Sequence, residues 1–378
     1  MMGDGLFLCR TRDDAFRLDM KIVFIHQDLF FQGGEYVVAK LANGLARRGH
    51  EVHVVVSKVH DDIAAAHPGA KPFALDAKVD FHVLPFRRAA FNVLPLAVLL
   101  RKLKADVVLP NTGHYLQCAA LAQAVGCDAS PLVYVEHNSV AHSANRLTRW
   151  CLRRCTRVVA VSEGVRAGLL DVGVPSQKLV RIYNPILDDK IEEGEIHPWL
   201  VDKRGFVFVA AGALTSGKGF MNLIAAFARV HAEYPTARLL IFGRGPQFDE
   251  LQRQISSLHL NDVVQLAGFS TCLRKNLSAA DGFVMSSQQE TFSIVLVEAL
   301  AAGLPIVSTD CPVGPREVLD NGRLGALVPV DDVEAMARAM VEVAQGRRFD
   351  RPDITPYKTG TALDAYEKVL NEVRTEMV

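Results

Sequence analysis

The chain has 378 residues, too many for one hydrophobic core and enough for about two domains. A composition of 49% apolar and 22% charged residues is that of a globular protein and excludes a low-complexity or fibrous chain. The 42 basic residues balance 42 acidic ones, so a nucleic-acid partner gains no support.

The balance hides an asymmetry. Residues 1–185 carry 23 Lys and Arg against 16 Asp and Glu, and residues 186–378 carry 19 against 26. A half at +7 facing a half at −7 can orient a protein on an anionic surface. The seven cysteines include no CxxC pair. Cys151 and Cys155 sit four apart on an expected helix, but no His or second Cys pair completes a metal set, so buried reduced thiols in a cytosolic protein are the expectation.

In chain order, residues 1–19 lack the apolar core of a signal peptide and read as a disordered leader or an upstream start, since Met20 directly precedes the strand pattern "KIVFIH". Further strands are predicted at 51–57, 106–110, 132–136 and 157–162. Between the first two lies "EYVVAKLANGLARRGH", apolar at helical spacing and ended by Gly49. This βαβ unit opens on "HQDLFFQGGEY", whose Gly33–Gly34 is no G-x-G-x-x-G fingerprint and supports no dinucleotide dehydrogenase. The acidic, turn-rich residues 186–204 read as a linker. The pattern then restarts with a strand at 206–211, a helix at 219–233, and strands at 237–242, 263–267, 282–285 and 305–308. Two successive doubly wound α/β domains follow: 20–185, and 205–355 with a terminal helix at 356–378 that can pack back on the first. Ligands in such sheets bind beyond the carboxyl ends of strands, and every motif below falls at such an end.

"GALTSGK" at 212–218 matches a nucleotide-hydrolysing phosphate loop until Gly219, which stands where a Ser or Thr magnesium ligand is needed. A helix N-terminus plus Lys218 is an anion site with or without a metal; the alternative is a glycine-rich turn with an exposed lysine. "SSQQETFSIVLVEALAAG" places Glu290 and Glu298 eight apart. If the helix begins near Phe292, the free amides of Phe292, Ser293, Ile294 and Val295 point at the cleft, with Glu290 and Glu298 able to accept from hydroxyls on either side. A diphosphate flanked by two polyols, a nucleotide-sugar, fits that layout. Two solvated helix carboxylates are the alternative.

These motifs occur in order with "VEHNS", "AVSEGV…VGVPSQKLVRIYNP", "GRGPQFDEL", "LAGF" and "DCPVGPREVLDNGRLGALVP" over about residues 20–375. Together they resemble the retaining, nucleotide-sugar-dependent glycosyltransferases of GT-B fold, the glycosyltransferase group 1 type, and among them members that build capsule, O-antigen or lipid-linked oligosaccharide chains in bacteria. The resemblance implies a donor, UDP-linked, whose diphosphate is bound by Lys218 and approached by Gly33 and Gly34. Glu298 would take the ribose hydroxyls, Glu290 the donor sugar, and the amides of 292–295 sugar and phosphate. His137, after the strand "LVYVE", would be the active-site histidine near the acceptor, while Gly243, Arg244, Gly268 and Phe269 would border the base. Glu290, His137 and Lys218 would carry catalysis. One departure stands out: the family usually has Arg five positions before the lysine, where this chain has Ala213. Either another cation such as Arg244 substitutes, or transfer is slow, or it is lost.

No D-x-D occurs anywhere in the chain, so no metal and no cofactor is expected. Two basic amphipathic stretches, 87–104 around "LPLAVLL" and 145–157 around Trp150, suit an anionic bilayer and a lipid-diphosphate acceptor, placing a cytoplasmic protein at the inner face of a membrane. An ordinary domain helix with a solvated basic face is the alternative. The readings that compete with transfer are a non-catalytic sugar-nucleotide binder and a GT-B sugar-nucleotide epimerase.

Overall fold

The computed structural model describes residues 19–27, 33–57, 75–125, 130–137, 145–190 and 193–376. Apart from Asp19, the expected leader lies outside the described residues.

In the first half, β1 (Lys21–His26), β2 (Glu51–Ser57), β3 (Val79–Leu84) and β4 (Val107–Pro110) pair in parallel in the order β3-β2-β1-β4, and β5 (Val133–Glu136), β6 (Arg157–Ala160) and β7 (Leu179–Arg181) pair as β5-β6-β7. A parallel bridge from Val108 to Leu132 joins the two sets. The apolar runs of β1 and β2 are buried along almost their whole length, as strands covered by helices on both faces must be. The covering helices are α1 (Gly33–Arg47), α2 (Val93–Leu103), α3 (Gly113–Ala124), α4 (Arg146–Arg154) and α5 (Glu163–Asp171).

After the short α6 (Pro198–Val201), the second half forms one parallel sheet in the order β10-β9-β8-β11-β12-β13. Its strands are β8 (Val207–Ala211), β9 (Arg238–Phe242), β10 (Val264–Gly268), β11 (Gly282–Met285), β12 (Ile306–Thr309) and β13 (Ala326–Val328). Around it lie α7 (Phe220–Glu233), α8 (Phe248–Ser257), α9 (Leu273–Ser278), α10 (Ile294–Ala301), α11 (Pro315–Val318) and α12 (Val333–Ala344). The last helix, α13 (Thr359–Thr375), crosses back and packs on α1, where Leu363 lies over Gly44 and Arg48 Nη1 donates to Glu367 Oε2 at 2.7 Å. The two chain crossings run side by side: the amides of Ile186 and Leu187 both donate to the Tyr357 carbonyl, at 3.1 and 3.0 Å.

In each half the winding reverses once, at β1/β4 and at β8/β11. Adjacent connections leave in opposite directions there and open a crevice beyond the strand ends. The strands β3, β7 and β13 escaped the sequence reading. β3, "VDFHVL", is an edge strand with four of its six residues at least partly exposed, and β7 and β13 have three residues each, too short to show a period. The strand expected over 157–162 stops at Ala160, because the Ser162 hydroxyl caps α5 by accepting the Val165 amide at 3.1 Å.

Candidate active site

The loop "GALTSGKGF" leaves the end of β8 and closes on α7. Gly219 has φ +65°, and a Cβ there would fall well inside contact with the Ser286 carbonyl oxygen. The residue that breaks the phosphate-loop motif is therefore demanded by the fold, since a Ser or Thr fits neither the left-handed backbone nor the space. The tight approach exists because the loop is laced to the neighbouring strand end: Ser286 Oγ donates to the Lys218 carbonyl at 2.8 Å and the Gln288 amide to the Gly217 carbonyl at 2.9 Å.

That lacing brings the two chemistry-bearing loops together. Lys218 Nζ lies 2.7 Å from Glu290 Oε1, and Ser287 Oγ donates to the same oxygen at 2.8 Å. The Glu290 side chain is only 10% exposed. The expected helix start near Phe292 needs correction. Ser293 has φ +69°, the helix begins at Ile294, and the Phe292 side chain is buried against Tyr183 and Tyr357. The first-turn amides that have no partner within the helix are thus those of Ile294, Val295 and Leu296. Ser293 does not cap them: its hydroxyl turns to Met285 Sδ, at 3.0 Å. An uncapped helix N-terminus beside a lysine ammonium is a receptor for anionic oxygens. Glu298 lies half-buried on the second turn of α10.

The first domain closes the crevice. Gly33 and Gly34 open α1, and a Cβ on Gly33 would come within 2.8 Å of Ile294 Cδ1, so the N-termini of α1 and α10 meet across the cleft. A Cβ on Gly34 would sit 3.8 Å from His26 Nε2 and 4.0 Å from His137 Cγ. His137 directly follows β5, with Nε2 3.4 Å from Asn111 Oδ1. Burial, and then the neighbouring His26, lower its imidazole pKa to about 3, so it is neutral at any physiological pH. His26 and Asn111 were missed from the sequence, although each directly ends or follows a strand at the winding reversal, the position that should have drawn attention to them.

The remaining predicted residues lie along one rim. The Gly243 amide donates to the Gly268 carbonyl at 2.8 Å, and the Leu214 amide to the Arg244 carbonyl at 2.9 Å, which stacks "GRGP" on the Gly212–Leu214 turn. The Arg244 guanidinium lies over the exposed Phe269 ring, 5.6 Å from the centroid. Ala213 is exposed.

Two outcomes follow from this geometry. Gly219→Ser, which completes the phosphate-loop consensus, is expected to destabilise the protein by roughly 2–4 kcal/mol in denaturant titration and to confer no magnesium-dependent ATP binding. Wild-type stability in that variant would show that the loop tolerates the hydroxyl. For His137 the sign is that of a depressed imidazole: the unfolded group ionises near 6.5 and the folded one near 3, so its contribution is intact above 6.5 and is lost as pH falls below it. Between pH 7.5 and pH 5, wild type should lose about 2 kcal/mol more stability than His137→Asn. Parallel pH curves for the two proteins would refute the buried neutral imidazole.

Comparison with known proteins gives the same outline. Residues 205–345 match the family model for glycosyl transferases group 1, and residues 31–190 match that for glycosyltransferase family 4. An exopolysaccharide phosphotransferase of Streptomyces coelicolor is 39% identical over 178 residues, 46% of this chain, so the match spans only 19% of that protein. The N-acetylgalactosamine-N,N'-diacetylbacillosaminyl-diphospho-undecaprenol 4-alpha-N-acetylgalactosaminyltransferase of Campylobacter jejuni is 26% identical over 351 residues, covering 89% of this chain and 93% of that one. Among solved structures, Anabaena HepE in complex with UDP-glucose superposes with a TM-score of 0.68 at 21% identity, over 95% of this chain and 99% of that one. With its two facing doubly wound domains, the chain has the GT-B fold, and each half is similar to a glycosyltransferase domain: the first to glycosyltransferase family 4, the second to glycosyl transferases group 1.

Proposed function

We propose that the protein is a retaining glycosyltransferase that moves a hexosyl or N-acetylhexosaminyl group from a UDP-linked donor to a glycan or lipid-linked glycan in bacterial surface polysaccharide synthesis. The observation that carries this reading is the Lys218–Glu290 contact of 2.7 Å, set beside the uncapped N-terminus of α10 where the strand ends of both domains meet. Donor binding exchanges that ion pair for two better-matched contacts: the ammonium turns to the diphosphate and the carboxylate to sugar hydroxyls. The UDP-glucose complex of HepE supports the choice of base, and the undecaprenyl-linked substrate named for the Campylobacter relative supports the acceptor class.

In the reaction the bond from the anomeric carbon to the diphosphate oxygen breaks, and one to the acceptor oxygen forms on the same face through an oxocarbenium-like state. The acceptor proton passes to the departing phosphate oxygen. Lys218 and the α10 amides stabilise the charge growing on that leaving group, which is where preorganised donors contribute most. His137, neutral and donating or accepting but not charged, orients the acceptor hydroxyl. No metal enters this scheme; the absence of D-x-D in the sequence supports that choice. Ala213 favours a second reading, a binder of nucleotide-sugar without transfer, because one of two expected cations is missing from the phosphate site.

Calorimetry with UDP in EDTA, together with turnover and NMR of the anomeric product, separates these readings. Wild type should bind UDP without divalent metal. Glu290→Gln should lower turnover about 10²–10³-fold with UDP affinity kept, whereas Glu298→Gln should weaken UDP about 10- to 100-fold. Donor binding with no turnover on any acceptor selects the binder, and equal losses of UDP affinity in the two variants overturn the assignment of the carboxylates.

The acceptor class also bears on location. Around α2 the exposed apolar side chains Phe91, Leu94 and Val98, at 62%, 68% and 71%, are bracketed by Arg87, Arg88, Arg101, Lys102 and Lys104. α4, with Trp150 among Arg146, Arg149, Arg153 and Arg154, packs on α3 beside it. We propose that this basic, apolar-tipped face rests on the inner leaflet. Among the described residues no helix is long and apolar enough to cross a membrane. In flotation assays the protein should bind vesicles containing phosphatidylglycerol and not pure phosphatidylcholine, and Leu94→Asp with Val98→Asp should cut binding at least about tenfold. Equal binding to both vesicles, or none, counts against the membrane face.

A further inference from the structure

Three sequence motifs that the site does not use, "SEG" at 162–164, "IYNP" at 182–185 and "GPRE" at 314–317, meet at one junction between the domains. The Glu317 carboxylate, at the third position of α11 in the second domain, accepts the Glu163 amide with both oxygens, at 2.8 and 3.0 Å. That amide opens α5 of the first domain. The Tyr183 hydroxyl donates to Glu317 Oε1 at 2.8 Å. A carboxylate at a helix N-terminus that accepts a forked amide bond and a hydroxyl bond is a strong fastener, and here both donors belong to the other half of the chain.

Tyr183 is also where the fastener reaches the site. Its ring packs 5.4 Å from Phe292 and 5.1 Å from Tyr357, and Arg181 stacks on it at 4.3 Å. Tyr183 immediately precedes the first chain crossing and Tyr357 lies at the second. Phe292, buried between them, directly precedes Ser293 and the N-terminus of α10, and follows Glu290 by two residues. One further bond ties the same loop to the first domain: the buried Ser162 hydroxyl donates to the Thr291 carbonyl at 3.0 Å.

We infer that Glu317 and Tyr183 are positioning residues, a clasp that sets the angle between the domains and thereby the placement of Glu290 and the α10 amides against Gly33, Gly34 and His137. The clasp touches neither the phosphate lysine nor the carboxylate, and reaches them through Phe292, the Ser162–Thr291 bond and the crossing strands. The inference rests on the transfer reading for its kinetic consequence, but not for its geometric one. Donor contacts are concentrated in the second domain, and turnover needs both domains, so loss of the clasp divides the two quantities.

Tyr183→Phe keeps the ring packing and removes only the hydroxyl; Glu317→Gln keeps the shape and removes the charge. Each variant is expected to retain UDP affinity within about twofold, to lower kcat about tenfold, and to shift the small-angle scattering profile toward a wider domain angle. Hydrogen exchange at the Glu163 amide should accelerate at least tenfold in Glu317→Gln, a readout that a simple loss of global stability would spread over the whole core. The double variant should be no worse than the poorer single one, since both remove one unit. Scattering and exchange read the clasp even if the protein transfers no sugar, so a failure of the transfer reading stays separate. Scattering and exchange superposable on wild type in both variants, or UDP affinity falling in step with kcat, would overturn the clasp.

Discussion

Parallel strands that reverse their winding once in each half are the constraint from which the cleft follows. At β1/β4 and at β8/β11 neighbouring connections leave in opposite directions, which opens a crevice beyond the strand ends. His26, Asn111 and His137 end or follow β1, β4 and β5 of the first domain, and the loops carrying Lys218 and Glu290 follow β8 and β11 of the second. α1 and α10 aim their N-termini at the same gap, so fixed partial positive charge accumulates where an anionic ligand would sit.

Close backbone approach is what makes this gap narrow. Gly219 lies too near the Ser286 carbonyl for any side chain, and Gly33 faces the end of the Ile294 side chain, 2.8 Å from where a Cβ would stand. Those contacts place the lysine and the glutamate in direct reach, and they leave the ion pair largely sheltered, with Glu290 10% and Lys218 31% exposed. In the absence of ligand the two charges satisfy each other. Under the proposed function, a bound diphosphate-sugar would offer each a partner of its own. UDP alone would compensate the lysine and leave the carboxylate to Ser287.

The same economy governs the back of the cleft. The crossing strands at 186–187 and 357–359 are hydrogen-bonded to each other, and the aromatic side chains of Tyr183 and Tyr357 grip Phe292 beside them. The residue before the candidate site's helix is thus part of the interdomain packing. Its burial explains why α10 starts two residues later than the sequence suggested: Phe292 is held by the junction, and Ser293 takes a left-handed conformation to bring the chain into the helix.

Hydrophobic period and turn residues are local, and they sufficed for the two α/β halves, the long buried strands, α1 and α7, and the Gly-rich loop after β8. Short or half-exposed strands such as β3, β7 and β13 carry no such period and were lost. The quoted motifs named Lys218, Glu290, Glu298, His137 and the glycines, but not how they meet. Lys218 and Glu290 are 72 positions apart, and their contact exists only because β8 and β11 are sheet neighbours. Likewise Gly219 looked like a defect in a motif until the Ser286 carbonyl stood beside it, and nothing in the segment around Glu317 points to the two donors that the first domain supplies to it. Sequence fixes which groups a local segment can offer; strand order and domain docking decide which of them share a neighbourhood, because that depends on packing between segments whose separation along the chain leaves no periodic trace.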